Sequence, residues 1–222
     1  MSSLSHRKHA DPGHFGYTQE QLPPTDQGPL DLPSWFPEAR RGLPMELEIG
    51  SGKGTFIITQ ATKVPEVNFI GLEYARAFWL YAADRVRRRN MENVRLVYTE
   101  ATWFLRYYVK DATFRQVHIY FPDPWPKARH NKRRLIQAPF LRELHRVLTP
   151  GGQVRLATDH GDYFQWMQEH AAQVTELFER CPFESPEAAG EGELVGTNFE
   201  RKYRREGRPF HGMVLRRLGA AT

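Results

Sequence analysis

Asp123, Glu73 and Glu48 are the side chains whose type and setting best suit chemistry. In Phe121-Pro-Asp-Pro-Trp-Pro-Lys127, prolines at 122, 124 and 126 fix φ and exclude α-helix, so Asp123, Trp125 and Lys127 are expected on a stiff extended loop. A carboxylate held there can accept N–H protons, stabilise a developing cation or act as a general base. The loop follows the apolar run Val117–Tyr120, and open α/β sheets bind their ligands at strand ends. Upstream, Gly50-Ser-Gly52-Lys-Gly54 follows a strand-like segment containing Glu48 and opens a helical pattern, a turn that aims a helix N-terminus at a ligand. Its spacing fits neither a dinucleotide fingerprint, whose third glycine would fall on Thr55, nor a Walker A loop, which needs Ser or Thr where Gly54 stands. Glu73 ends the next strand, one strand–helix–strand unit later. An acid there can accept both ribose hydroxyl protons of a nucleoside cofactor.

Between Pro126 and Leu135 lie Lys127, Arg129, Lys132, Arg133 and Arg134 without an acid. Such a run grips phosphates and adds salt-sensitive affinity rather than base choice. Trp125 either stacks on a base or caps the core. Two further cationic clusters, Arg85 to Arg89 and Arg201 to Arg208, read equally well as solvated faces. A formal net charge of +5 favours a polyanionic partner. The single Cys181 rules out an intrachain disulfide framework and fits a reducing cytosol. No apolar stretch reaches the roughly 20 residues needed to cross a bilayer, and the N-terminus lacks the apolar segment of a secretory signal. A cytoplasmic protein with no membrane association is expected.

The elements that must position these residues follow from periodicity. Strands are expected at 45–50, 67–73, 94–98, 117–121 and 154–157, alternating with helical patterns after the glycine loop, at 75–89, near 102–109, from Pro139 to Leu148 and after His160. That alternation predicts an α/β fold with a mostly parallel, doubly wound sheet, and Met213–Arg217 reads as a closing edge strand. Residues 1–33, rich in Pro, Gly, Gln, Ser and His, read as a flexible N-terminal arm, and His6, His9 and His14 match no compact metal-ligand pattern.

With these pieces in place the chain closely resembles the bacterial tRNA (guanine-N7-)-methyltransferase family, class I S-adenosylmethionine enzymes that methylate guanosine in the tRNA variable loop. The match covers roughly residues 45–217. Glu48-Ile-Gly-Ser-Gly-Lys-Gly54 resembles class I methyltransferases in general. Residues 121–135, Phe-Pro-Asp-Pro-Trp-Pro-Lys-Ala-Arg-His-Asn-Lys-Arg-Arg-Leu, resemble this family in particular, and Thr197-Asn-Phe-Glu200 is similar to its C-terminal substrate motif. The resemblance implies a Rossmann-like class I methyltransferase fold with an antiparallel edge strand, in a single domain over residues 34–222. It implies S-adenosyl-L-methionine as methyl donor, S-adenosyl-L-homocysteine as product and no metal. The substrate would be tRNA, methylated at N7 of guanosine 46, and the enzyme a monomer or homodimer without an obligate protein partner.

Carried over by position, the resemblance implies cofactor contacts at Glu48, Gly50, Gly52, Glu73, Glu100 and Asp123, with Asp123 catalytic. Substrate contacts fall at Lys127, Asp159, Thr197, Asn198, Phe199 and Glu200. Glu100 departs from the family, which usually has Asp beside the adenine. Guanine N7 already carries a free in-plane lone pair, so the chemistry needs a near-attack arrangement more than a strong base. Asp123 would accept from the guanine N1/N2 edge and stabilise positive charge on the purine, or act as a general base. Three other readings stand against this one. A class I methyltransferase with another target is disfavoured by the basic loop and Thr197–Glu200. A dinucleotide-dependent oxidoreductase is disfavoured by Thr55, and a non-catalytic RNA-binding module by an acid at every cofactor position.

Overall fold

The structure, a computed structural model, describes residues 10–219; His6 and His9 lie outside the described residues. The chain packs into two compact units, Met1–Tyr108 and Val109–Thr222. Strands β1 (Gly16–Thr18), β2 (Met45–Ile49), β3 (Asn68–Glu73) and β4 (Val94–Tyr98) belong to the first, with helices α1 (Thr55–Lys63), α2 (Arg76–Arg88) and α3 (Ala101–Tyr108). Its strands are all parallel in the order β1-β4-β3-β2, so the ends of β2, β3 and β4 present the glycine loop, Glu73 and Glu100 on one side. Leu47 and Ile49 are buried as their alternation suggests, but Glu46 and Glu48 are buried too. Strands of parallel sheets are commonly covered on both faces, so two-residue alternation there does not mark a solvated side.

Residues 10–33 are not an arm without regular structure. β1 pairs with β4, short 3-10 turns follow it, and Phe15, Leu32 and Phe36 are buried. The Arg95 guanidinium lies between the rings of Phe15 and Phe36, 5.2 and 5.0 Å from their centroids, and donates to the Trp35 carbonyl at 2.8 Å. Tyr108 Oη donates to the Pro23 carbonyl at 2.7 Å, and Arg87 Nε to that of Asp11 at 2.8 Å. These anchors are isolated in sequence and their partners are distant, so no local periodicity announces them.

The second unit holds β5 (Phe114–Tyr120), β6 (Leu148–Thr158), β7 (Phe178–Cys181) and β8 (His211–Arg217), with helices α4 (Ala138–Val147), α5 (Gly161–Ala171) and α6 (Asn198–Arg204). Strand order is β5-β6-β8-β7; β5 and β6 are parallel, and β8 is antiparallel to both β6 and β7. The antiparallel edge is therefore a pair of strands. β8 is covered by β7, a four-residue strand whose Glu179 and Arg180 are exposed and give no apolar signal. Tyr120 pairs with Ala157, and Thr158 with His211, so the proline loop, Asp159 and the segment entering β8 emerge at one end.

Candidate active site

In the first unit the glycine loop is a turn that only glycine accommodates easily. Gly50, Gly52 and Gly54 have φ of 82°, 53° and 71°. Gly54 also packs closely, since a Cβ there would lie 2.9 Å from Ala82 Cβ, whereas one at Gly50 would meet nothing within 4 Å. Glu73 does more than end β3: its Oε2 accepts the Gly52 N–H and its Oε1 the Ala75 N–H, each at 2.7 Å, so it braces the loop it was expected only to accompany. Glu48 is buried, and burial, reinforced by the Glu73 charge, pushes its carboxyl up to about 8. Its Oε2 and the nearby Ser51 Oγ have no hydrogen-bond partner among the described residues. Buried orphan oxygens are costly, and they suit a ligand bearing cationic and N–H groups.

Glu100 sits at the start of α3, where Thr102 N–H and Trp103 N–H donate to Oε1 and Oε2 at 2.9 and 2.7 Å. The helix N-terminus thus fixes this carboxylate, and the longer Glu fulfils the capping role that Asp commonly takes. Beside it, Thr99 Oγ1 donates to Gln19 Oε1 at 2.9 Å, bringing a residue of the supposed arm to the end of β4.

In the second unit the proline loop is braced, but not extended throughout. Phe121 and Trp125 have φ of 53° and 43°, a left-handed region that costs bulky residues free energy and that surrounding contacts must hold. Phe121 N–H donates to the Ala157 carbonyl at 2.8 Å, and its ring stacks on Phe199 at 4.7 Å. Trp125 lies within the loop's own contacts, edge-on to His130 and 5.0 Å from the Arg133 guanidinium.

The phosphate-gripping role expected of Arg134 does not hold. Its side chain is 1% exposed, pairs with Asp162, donates to the Pro124 carbonyl at 2.8 Å and lies against the rings of Tyr163 and Trp166. Arg134 is a strut under the residue that follows Asp123. Asp123 itself is exposed, with no hydrogen bond or ion pair among the described residues. Lys127, Arg129, Lys132 and Arg133 likewise have no ion pair among the described residues.

Thr197 caps α6, its Oγ1 accepting the Glu200 N–H at 3.0 Å. Asn198 and Phe199 are on the surface, Phe199 at 37% exposure. Glu200, expected at the substrate, is fully buried. Its carboxylate accepts the N–H groups of Leu194, Val195 and Gly196 at 2.5, 2.9 and 2.9 Å and pairs with Arg204 at 2.7 Å. Burial opposes ionisation here, but those backbone donors and the Arg204 guanidinium outweigh it and hold the carboxyl below its ordinary value. Glu200 therefore ties residues 194–196 to α6. Asp159 is nearly buried and pairs with Arg208 at 2.8 Å. In the sequence Arg208 is only one cation of a cluster, because its partner lies far along the chain and leaves no local signal. Arg201 and Arg204 of that cluster are also ion-paired, to Glu193 and Glu200.

A protein-family model described as "Putative methyltransferase" matches residues 43–213. The chain is 35% identical over 197 residues to a tRNA (guanine-N(7)-)-methyltransferase of Alkalilimnicola ehrlichii, covering 89% of this chain and 81% of that protein. It is 32% identical over 194 residues to one of Halorhodospira halophila, covering 86% and 81%. Among solved structures, the antibiotic-resistance methyltransferase Kmr aligns with a TM-score of 0.53 at 18% identity, over 83% of this chain and 92% of that one. The tRNA (m1A58) methyltransferase TrmI of Aquifex aeolicus aligns with a TM-score of 0.50 at 16% identity, over 80% and 63%. At such identities these likenesses speak to fold alone, and the fold is the Rossmann-like one of class I methyltransferases.

Proposed function

The chain belongs to the tRNA (guanine-N7-)-methyltransferase family, and we propose that it transfers a methyl group from S-adenosyl-L-methionine to N7 of guanosine 46 in the tRNA variable loop. The observation that carries the reading is the 121–134 loop. Among the described residues it presents one unpaired carboxylate, Asp123, followed by four cations without ion pairs, on a segment braced from beneath by Arg134.

The first unit suits the cofactor. Glu48 Oε2 and Ser51 Oγ, buried and without a hydrogen-bond partner among the described residues, would take its amino end. Glu73 keeps lone pairs for the ribose hydroxyls, and Glu100, fixed on α3, would accept from the adenine amino group. When bound, the cofactor supplies an electrophilic methyl on a sulfonium. The protein's task is then to align N7 in line with that methyl, which is where most of the rate should arise. Asp123 would stabilise the positive charge that develops on the purine. Lys127 and the exposed cations after it would hold the RNA backbone, and Thr197, Asn198 and Phe199 would approach the nucleoside. Glu200 acts by holding their segment in place. On this reading residues 34–222 work as one catalytic domain.

Replacing guanosine 46 by adenosine in an otherwise unchanged tRNA transcript should abolish methyl acceptance. Undiminished acceptance would move the target to another nucleotide.

A further inference from the structure

Arg208 holds none of the roles assigned so far, yet its surroundings are specific. Its Nη1 donates to Asp159 Oδ2 at 2.8 Å, and its guanidinium lies 3.7 Å from the centroid of the Tyr203 ring. The Asp159 side chain is 12% exposed and that of Arg208 is 42% exposed, so the pair is seated at the protein yet open on one side. Tyr203 lies on α6 next to Phe199, at 4.4 Å, and Phe199 stacks on Phe121 at the head of the Asp123 loop. The pair therefore borders an aromatic row of the kind on which nucleobases stack. Glu206, 3.3 Å from Nη2, is the other acid on this guanidinium.

An Asp–Arg pair held in this way sets carboxylate lone pairs beside free guanidinium N–H groups, an acceptor next to a donor. Guanine presents the complementary order along its Watson–Crick edge, with N1–H and N2–H donors beside the O6 acceptor. Adenine presents the reverse order, an amino donor facing the guanidinium and a bare N1 facing the carboxylate, so both contacts would be repulsive. We propose that Asp159 and Arg208 together read the Watson–Crick edge of the target guanine, Asp159, rather than Asp123, accepting from N1–H and N2–H while Arg208 donates to O6. N7 is left free for methylation. The inference rests on the methylation reading above and adds Arg208 as the residue that recognises O6.

The test uses the full chain and tRNA carrying guanosine or 6-thioguanosine at the target position; sulfur is a poor acceptor, while N1–H and the N2 amine are unchanged. Wild-type protein should favour guanosine about tenfold in kcat/KM, the worth of one hydrogen bond to a charged group. Arg208→Met keeps the apolar stem over Tyr203 but loses the donors. It should slow guanosine methylation by about tenfold, leave the KM for S-adenosyl-L-methionine unchanged and bring the guanosine-to-thioguanosine ratio near one. Arg208→Lys should recover part of the ratio. An undiminished ratio in Arg208→Met would overturn the proposal, as would a wild-type ratio near one. A fall of about one in the salt slope of tRNA binding at constant ratio would make Arg208 a phosphate contact instead, and so also overturn it. If the wild-type protein methylated neither tRNA, the functional reading would fall and this inference with it; wild-type methylation with an unchanged ratio in the variant removes the inference alone.

Discussion

Asp123 and Glu48 are both carboxylates near a chain turn, but their settings assign them opposite work. Asp123, proposed to meet the substrate, is exposed and unpaired among the described residues, whereas Glu48 is buried with an oxygen left without a partner there. Asp123→Ala should lower kcat by about a thousandfold while changing cofactor affinity less than Glu73→Ala does, because Glu73 also braces the glycine loop through Gly52. Equal and severe loss of cofactor binding in both variants would merge the two roles. Glu48, at about 8, is mostly protonated at pH 7 in the free protein. Pairing with a cationic amino group requires the carboxylate, so binding of S-adenosyl-L-methionine should release up to about one proton at pH 7 and tighten as pH rises from 5 toward 8. Calorimetry in buffers of different ionisation enthalpy reads that proton directly, and no release at pH 7 would separate Glu48 from the cofactor. Because the folded value lies above the ordinary 4.5, the folded chain holds this proton more tightly than the unfolded one, so the stability of the free protein falls as pH rises from about 4.5 through 8. Glu48→Gln should remove that slope from urea unfolding.

At the scale of the element, the proline loop separates two arginines that adjoin in sequence. Arg133 lies over Trp125 on the exposed side, while Arg134 is buried beneath the loop and pairs with Asp162, whose carboxyl it holds below the ordinary range. Neutralising Arg133 should reduce the salt slope of tRNA binding by about one. Arg134→Met should leave that slope alone and lower kcat by releasing the Pro124 carbonyl; a flattened slope in Arg134→Met would contradict the strut. The motif's composition announced a cationic loop, but which cation faces water depends on Tyr163, Trp166 and Asp162 on α5, which no reading of residues 121–135 could supply. The same limit hid β1. Three residues carry too little periodicity, and Phe15 is buried through α1, α2, β3 and β4 rather than through its own neighbours. Phe15→Ala should therefore cost about 3 kcal/mol in urea unfolding, as a core truncation does, where a flexible arm would show no change.

Over the whole molecule, what was legible from sequence is the parallel order of strands and helices and the acids at strand ends, since both follow from local periodicity and turn chemistry. What was not legible rests on long-range pairing: β7 covering β8, Glu200 buried under residues 194–196, and Asp159 joined to Arg208. The proposed cofactor acids Glu48, Glu73 and Glu100 fall in the first unit, and Asp123 and the proposed substrate residues in the second. The most direct test incubates the protein with methyl-labelled S-adenosyl-L-methionine and unmodified tRNA and resolves the digested nucleosides. The account predicts label in 7-methylguanosine alone, mapping to position 46; label in any other nucleoside, or none in tRNA at all, would contradict it.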